Sequence, residues 1–157
     1  MDDGTETAGD DESARRAWMA VLAKAPSEAL AERLAALAGP PPRAETLRGP
    51  ETGTLMVRGR AGGTGAAFNL GEMTVTRVTL RLDDGAVGHA TVQGRDHAHA
   101  RRAALADALL QGARADEVAR VVIAPLEQAA STRRAARAAK AAGTRVEFFT
   151  VARGEDA

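Results

Sequence analysis

The feature of this sequence that most constrains the fold is the small size of the apolar side chains. Among 157 residues, alanine contributes 37, whereas valine, leucine, isoleucine and phenylalanine together contribute 28. Because a buried alanine removes little area from water, at roughly 25 cal/mol per Å², the hydrophobic core is thin for a chain of this length. We therefore expect one folded domain of modest stability, to which a partner surface adds apolar contacts.

Charge is balanced overall but not along the chain. The sequence has 21 acidic and 21 basic residues, yet residues 1–12 contain six acids and no base. We predict a disordered acidic tail over residues 1–11 and a single basic domain over residues 12–157. Nearly all the bases are arginine, whose guanidinium fits carboxylate and phosphate, so an acidic or anionic partner is one interpretation. Arginine bias from a GC-rich genome is the alternative.

Apolar residues at helical spacing predict a helical hairpin at the start of the domain. The first helix starts at Ser13 and ends at Pro26, which lacks the N–H that a helix interior needs. Ser27 is a suitable N-cap for the second helix, and Gly39 followed by three prolines ends it.

Alternating apolar and polar residues predict strands over residues 54–60, 72–82 and 86–93. Asp84–Gly85 favours a tight turn between the last two strands, which makes them antiparallel neighbours. In the middle strand Met73 and Val75 share one parity, whereas the apolar residues after Arg77 share the other. We predict either a bulge or a crossing between faces near Arg77.

Helices follow the strands, and a last strand closes the chain. Helices are predicted over residues 97–111 and 126–142, with a short apolar run between them that Pro125 ends, and a strand over Arg145–Arg153. Grouped strands and grouped helices indicate an α+β fold. We expect an antiparallel sheet of about four strands with helices packed on it, preceded by the helical hairpin.

The sequence lacks the residues that several classes of catalysis need. The absence of cysteine excludes disulfides, a thiolate nucleophile and cysteine-bound metals. His97 and His99 point about 200° apart on a helix and cannot share a metal ion, and His89 is expected to be a packed or interface residue. Asp107 lies beside an apolar helical stripe and is expected to pair with an arginine. We predict no catalytic residue and no metal site.

Nucleic acid and membranes are not expected as partners. RNA-binding sheets need exposed aromatic residues, and this chain has one tryptophan, three phenylalanines and no tyrosine. No apolar run reaches the ~18 residues of a membrane span, and the N-terminal segment has acids where a signal peptide has bases. We expect a cytoplasmic protein.

Residues 61–71 are rich in glycine and are predicted to be irregular. Clustered glycines leave backbone N–H groups open to an anion, and arginines on the flanking strands form a predicted arginine-bearing sheet face together with Arg81. The candidate anion-binding residues are Arg58, Arg60, Gly62, Gly63, Thr64, Gly65 and Arg77. The segment lacks the Gly-Lys-Ser/Thr ending of a nucleotide loop, so an ordinary connecting loop and a solvated arginine face remain alternatives.

The predicted helix 126–142 differs from the others in its surface. After Leu126 it has only alanines opposite a basic stripe of Arg133, Arg137 and Lys140. A smooth alanine face lets another helix approach closely.

Eight short strings, in order from about residue 15 to residue 154, carry a resemblance to a known family. They are Arg16–Ala23, Glu51–Gly53, Gly62–Gly65, Thr76–Arg77, Val92–Asp96, Ala108–Gln111, Ile123–Leu126 and Arg145–Thr150. Together they resemble PhnG, a subunit of the bacterial carbon-phosphorus lyase system. The family's usual Phe-Phe-Thr-Met-Val-Arg-Gly ending is here Phe-Phe-Thr-Val-Ala-Arg-Gly.

The resemblance implies a subunit of a multisubunit core complex in phosphonate catabolism. That complex is a transferase, in which an alkylphosphonate displaces the adenine of ATP at C1′ to give ribose 1-alkylphosphonate 5-triphosphate. The nucleosidase-like chemistry belongs to a PhnI-type partner, and PhnH-, PhnJ- and PhnK-type subunits are the other implied partners, PhnJ with its iron–sulfur cluster. No cofactor is implied for this chain, and ATP is a substrate of the complex.

Two hypotheses for this chain follow from the residues and the resemblance. In the first, the chain is a non-catalytic subunit that binds and positions the catalytic partner through its last helix and its arginine-bearing sheet. In the second, the glycine-rich loop and the arginines bind the triphosphate of ATP directly.

Overall fold

The computed structural model describes residues 5–144, and it has the predicted α+β architecture. The elements in chain order are helix α1 (Thr5–Lys24), helix α2 (Ser27–Ala35), strand β1 (Ala44–Arg60), strand β2 (Ala67–Leu82), strand β3 (Val87–Gln93), helix α3 (His97–Leu109), helix α4 (Ala115–Val118), a π-helical turn (Ala119–Ile123) and helix α5 (Ala124–Ala142). Within these residues the strands form one antiparallel sheet in the order β1-β2-β3. The predicted fourth strand, Arg145–Arg153, lies outside the described residues.

Two helices start the domain as predicted, but they contact α3 more than each other, and their bounds differ from the prediction: Ser27 makes no side-chain cap, and α2 ends at Ala35, before Gly39. Helix α1 begins at Thr5 rather than at Ser13, so residues 5–11 are helical although the composition placed them in a disordered tail. Acidic side chains near a helix N-terminus interact favourably with the helix dipole. Arg16 Nη2 also pairs with Glu12 Oε1 at 2.7 Å, one turn earlier in the same helix.

The first two strands are also longer than their alternation indicates. β1 starts at Ala44, ten residues before the predicted start. Two register shifts around residues 46–51 interrupt its pairing, so its first residues show no regular alternation in the sequence. β2 starts at Ala67, inside the segment predicted to be irregular, because its backbone pairs with β1. Pro125 does not end the helical run: it lies in the first turn of α5, where its missing N–H costs little.

The helices cover one face of the sheet, and small residues make the packing close. The core cluster joins leucines of α1 and α2 to Val78, Leu80 and Leu82 of β2 and to a run of buried alanines in α3. A Cβ on Gly88 of β3 would overlap the carbonyl oxygen of Ala104. Alanine and glycine therefore let α3 lie directly on the sheet, which compensates for the shortage of large side chains.

One buried carboxylate ties three elements of this core together. Asp107 of α3 has no exposed side-chain surface and accepts bonds from Arg15 Nη2 at 2.7 Å, Arg15 Nε at 3.2 Å and Trp18 Nε1 at 2.9 Å. The backbone N–H of His89 in β3 donates to the same carboxylate at 2.9 Å. The predicted pairing of Asp107 with an arginine is confirmed, and it links α1, α3 and β3.

Strands β1 and β2 continue beyond the end of β3. β3 pairs only with Val75–Arg81 of β2, so residues 54–74 form a two-stranded ribbon that we call the arm. Across Arg77, β2 keeps an unbroken register with β3. The apolar residues of β2 therefore cross between faces near Arg77, and the irregularity beside Arg77 lies in β1, between Arg48 and Glu51.

Candidate functional site

The candidate anion-binding residues lie mostly at the tip of the arm. Arg58 and Arg60 end β1, and a 3-10 turn over Ala61–Gly63 reverses the chain. The tip is closed by its own bonds: the N–H of Gly65 donates to Ala61 O at 2.9 Å, and Arg60 Nη1 donates to Gly65 O at 3.2 Å.

Backbone geometry explains the glycines at this tip. Gly62 and Gly63 have φ of 58° and 81°, a region that side chains with a Cβ rarely adopt. A Cβ at either position would meet no atom within 4 Å, so among the described residues none forms a wall around the tip. The glycines serve the turn, and they do not line an enclosed phosphate cradle.

Arg77 does not join this group. It lies opposite Glu51, seven residues along β1 from Arg58, a separation of about 23 Å at the usual rise of a strand. The register also places Arg77 and Arg81 on one face of the sheet and Arg58 and Arg60 on the other. The predicted single arginine-bearing face is therefore wrong, because Arg58 and Arg60 lie on the opposite side of the sheet from Arg77 and Arg81.

The three histidines are separated, and the structure gives each a local partner. His99 is buried, and its Nε2 donates to the carbonyl oxygen of Leu22 at 2.9 Å, which joins α3 to α1. The backbone N–H of His99 donates to Asp96 at 2.8 Å and holds the pKa of that carboxyl below its usual range. Within residues 5–144 no group of three histidine or carboxylate side chains is placed to bind a metal ion.

A hydrogen-bond network that was not predicted from the sequence fixes the base of the arm. The buried Thr76 hydroxyl donates its hydrogen to Gly94 O at 2.8 Å. The Thr52 hydroxyl, 3.4 Å away, therefore donates to Thr76 Oγ1, and it accepts from His97 Nε2 at 3.2 Å. The available signal was the parity of Thr76, which matches that of the buried Val78. This network anchors the arm to the start of α3.

Two exposed segments dominate the surface of the described residues. One is the arm, which carries four large apolar residues that are 40–66% exposed: Leu55, Met56, Phe68 and Leu70. The other is the distal half of α5, in which every residue from 131 to 144 is exposed. Both segments offer surfaces for binding, whereas the buried ionisable groups Asp107 and His99 are used in structural bonds.

The distal half of α5 keeps the predicted basic stripe. α5 is anchored by the buried Leu126, and a groove of about 590 Å³ separates its first turns from α1. Arg133 and Arg134 line the end of this groove, and residues 131–144 carry four cations and no acid: Arg133, Arg134, Arg137 and Lys140. An exposed helix of this charge attracts an acidic surface.

Two comparisons relate the sequence to known proteins. Residues 13–154 match the protein family described as "Phosphonate metabolism protein PhnG". The chain is also 48% identical over 119 residues to the alpha-D-ribose 1-methylphosphonate 5-triphosphate synthase subunit PhnG of Rhizobium meliloti (strain 1021), an alignment that covers 73% of this chain and 74% of the relative. Of the helices described, none has the length and apolar content to cross a membrane.

Proposed function

This chain belongs to the PhnG family, and on that premise we propose that it is a subunit of an alpha-D-ribose 1-methylphosphonate 5-triphosphate synthase. The observation that carries the proposal is the identity of 48% to a relative named as such a subunit. The complex would act on ATP and an alkylphosphonate in the cytoplasm, with ATP as a substrate and no cofactor held by this chain.

Within that complex, the chain binds and positions a PhnI-type catalytic partner and does not perform the chemistry. Displacing adenine from ribose requires an acid or a base next to the glycosidic bond. Among the described residues, Asp107 is enclosed by Arg15, Trp18 and β3, and His99 is held by Leu22, so neither reaches a substrate. PhnH-, PhnJ- and PhnK-type subunits are the other proposed members of the assembly.

The distal half of α5 supports the positioning role. Its alanine side chains are small, so a partner helix can pack closely against them, and its cations attract acidic side chains on that partner. Because the segment is exposed throughout, docking requires no rearrangement of the core.

Co-expression with the PhnI-type subunit tests the proposal. We expect the two chains to co-purify, and we expect the charge reversals Arg133→Glu and Arg137→Glu together to weaken the complex roughly tenfold or more. Arg43→Glu, at an exposed arginine before β1, is the matched control and should leave the affinity unchanged.

Two results would contradict the proposal. Failure to co-purify with both chains folded would remove the role as a subunit. Release of adenine from ATP by the isolated chain, in the presence of an alkylphosphonate, would show that the chain is itself catalytic.

A further inference from the structure

The arm has one apolar and one polar face, and the strand register defines both. Leu55 lies opposite Met73, Val57 opposite Gly71 and Gly59 opposite Phe68. Leu70 is the extra residue of a β-bulge between the pairs Val57–Gly71 and Arg58–Asn69.

Gly59 shows that the bulge keeps Leu70 on the apolar side. A Cβ on Gly59 would lie 3.9 Å from the ring of Phe68 and 4.0 Å from Leu70 Cβ, so both side chains stand over the glycine. We call the resulting surface the arm apolar face. Its members are Leu55, Val57, Phe68, Leu70 and Met73.

The opposite side of the arm has one large apolar residue, a methionine, and is otherwise polar apart from the small Ala67. Thr54, Arg58 and Arg60 lie there on β1, and Asn69, Glu72 and Thr74 lie there on β2. Met56 is that methionine, and it is 53% exposed. The arm therefore separates its apolar and polar residues as sheets do when one face is covered.

The arm apolar face is not an extension of the core. Val78, Leu80 and Leu82 point toward the helices, whereas Met73 and Val75 have the opposite parity and point away from them. Exposure rises outward from Val75, which is 1% exposed, to Leu70, which is 66% exposed. In the part of the chain that the structure describes, Met73 and Val75 do not belong to the core cluster that the helices form with β2 and β3.

An uncovered apolar face on this ribbon indicates a binding surface. A two-stranded hairpin alone is marginally stable in water, and large exposed apolar patches in soluble proteins usually mark interaction sites. We propose that the arm apolar face docks on the PhnI-type subunit of the synthase, at an apolar surface bordered by carboxylates. This inference rests on the proposed function, since it supposes that such a subunit exists.

Charge favours a different protein over a second copy of this chain. Residues 54–74 contain Arg58, Arg60 and Glu72, and residues 131–144 add four cations, so the two projecting segments carry a net charge of +5. Two copies would bring like charges together, whereas an acidic partner attracts both segments. Arg77, at the base of the arm, has the parity of Met73 and Val75, so it lies beside the arm apolar face and would pair with carboxylates at the border of the docking surface.

Substitutions on the two faces of the same arm test the inference. Leu55→Asp and Leu70→Asp each place a carboxylate on the arm apolar face, and Met56→Asp makes the same change on the opposite face of β1. With the full chain and the PhnI-type subunit, we expect the first two variants to weaken binding roughly tenfold or more, and Met56→Asp to change it less than about twofold.

The possible outcomes distinguish failure of the proposed function from failure of the docking inference. If the wild-type chain forms no complex, the proposed function fails and the docking inference fails with it. If the wild-type chain binds and all three variants bind equally well, only the docking inference is overturned. If light scattering of the isolated chain shows a dimer that Leu70→Asp dissociates, the occupant is a second copy and the inference is wrong.

Hydrogen exchange provides a readout that needs no variant. We expect backbone amides of residues 54–74 to exchange quickly in the isolated chain and to become protected at least tenfold in the complex. Unchanged exchange in this segment on assembly would overturn the inference, even if the aspartate variants fail to fold.

Discussion

The body of the molecule and its two projecting segments use their side chains in opposite ways. In the body, small residues and one carboxylate bring elements into close contact, as Gly88 does against Ala104 and Asp107 does against Arg15. In the arm and the distal half of α5, large apolar and cationic side chains are exposed. A protein short of large apolar residues thus leaves several of them outside its own core.

This difference changes the meaning of the composition. A count of 28 large apolar residues indicates a thin core, but the count does not say where those residues lie. Three of them in the arm, Leu55, Phe68 and Leu70, and the neighbouring Met56 are exposed and add nothing to the buried core in the described part of the chain. The body is held by close packing, and the projecting segments are free to bind. The two regions should therefore respond differently to substitution.

Removing Asp107 should have the largest effect, and it should act on the body. Asp107→Ala leaves the Trp18 and His89 N–H groups without their acceptor, and Arg15 without its anion. Breaking a buried pair costs about 3–5 kcal/mol, and we expect the lower end because the Arg15 side chain is 32% exposed and can be rehydrated. Urea unfolding measures the change, with the exposed Asp116→Ala as control. A loss below about 1 kcal/mol would contradict the role of Asp107.

Adding one methyl group at a glycine should distinguish the body from the arm directly. Gly88→Ala forces a Cβ against the Ala104 carbonyl and within 2.9 Å of Ala108 Cβ, and overpacking of this kind costs about 1–3 kcal/mol. Gly59→Ala in the arm meets only ordinary contacts at 3.9 Å and beyond, so we expect less than about 0.5 kcal/mol. Thermal unfolding compares the two variants. Equal losses would show that the arm is packed as tightly as the body.

The N-cap of α3 should give a smaller effect that depends on pH. The carboxylate of Asp96 accepts from His99 N–H, which lowers the pKa of Asp96, so the stabilisation is present at neutral pH and is lost as pH falls through the lowered pKa. We expect Asp96→Ala to cost about 1 kcal/mol at pH 7, as losses of N-caps do. The difference from wild type should shrink below about pH 4, near the ordinary pKa of aspartate. Asp96→Asn, which keeps an oxygen acceptor, should lose less, and a pH-independent difference would contradict the assignment.

Much of the body follows from local sequence signals. Pro26 marks the break between α1 and α2, Asp84–Gly85 marks the turn before β3, and Asp96 marks the start of α3. These residues act through their own backbone geometry or through bonds within three residues, which a single sequence displays. The pairing of Asp107 was predictable as a type of contact, although its partner, 92 residues away, was not.

The arm was not predictable because its geometry depends on pairing between strands. The first ten residues of β1 contain Gly49, Pro50 and Gly53, which mask its alternation, and β2 starts within a glycine-rich segment. Leu70 reaches the apolar face only through a bulge, and no local pattern shows which side of the sheet the helices cover. The same reason separates Arg77 from Arg58: the register that divides them arises only when β1 and β2 pair.

The smallest expected effect concerns the predicted anion site at the tip of the arm. Arg60 already donates to Gly65 O, and the open tip leaves any bound phosphate in water, where an ion pair is worth about 0.2–1 kcal/mol. We therefore expect Arg60→Ala to weaken ATP binding by the assembled complex less than about fivefold, and Arg77→Ala, on the other face, to leave it unchanged. Calorimetry with ATP on the intact complex measures both. A loss of ATP affinity well beyond that range for Arg60→Ala, with the subunits still associated, would instead make the tip a triphosphate site that a partner encloses.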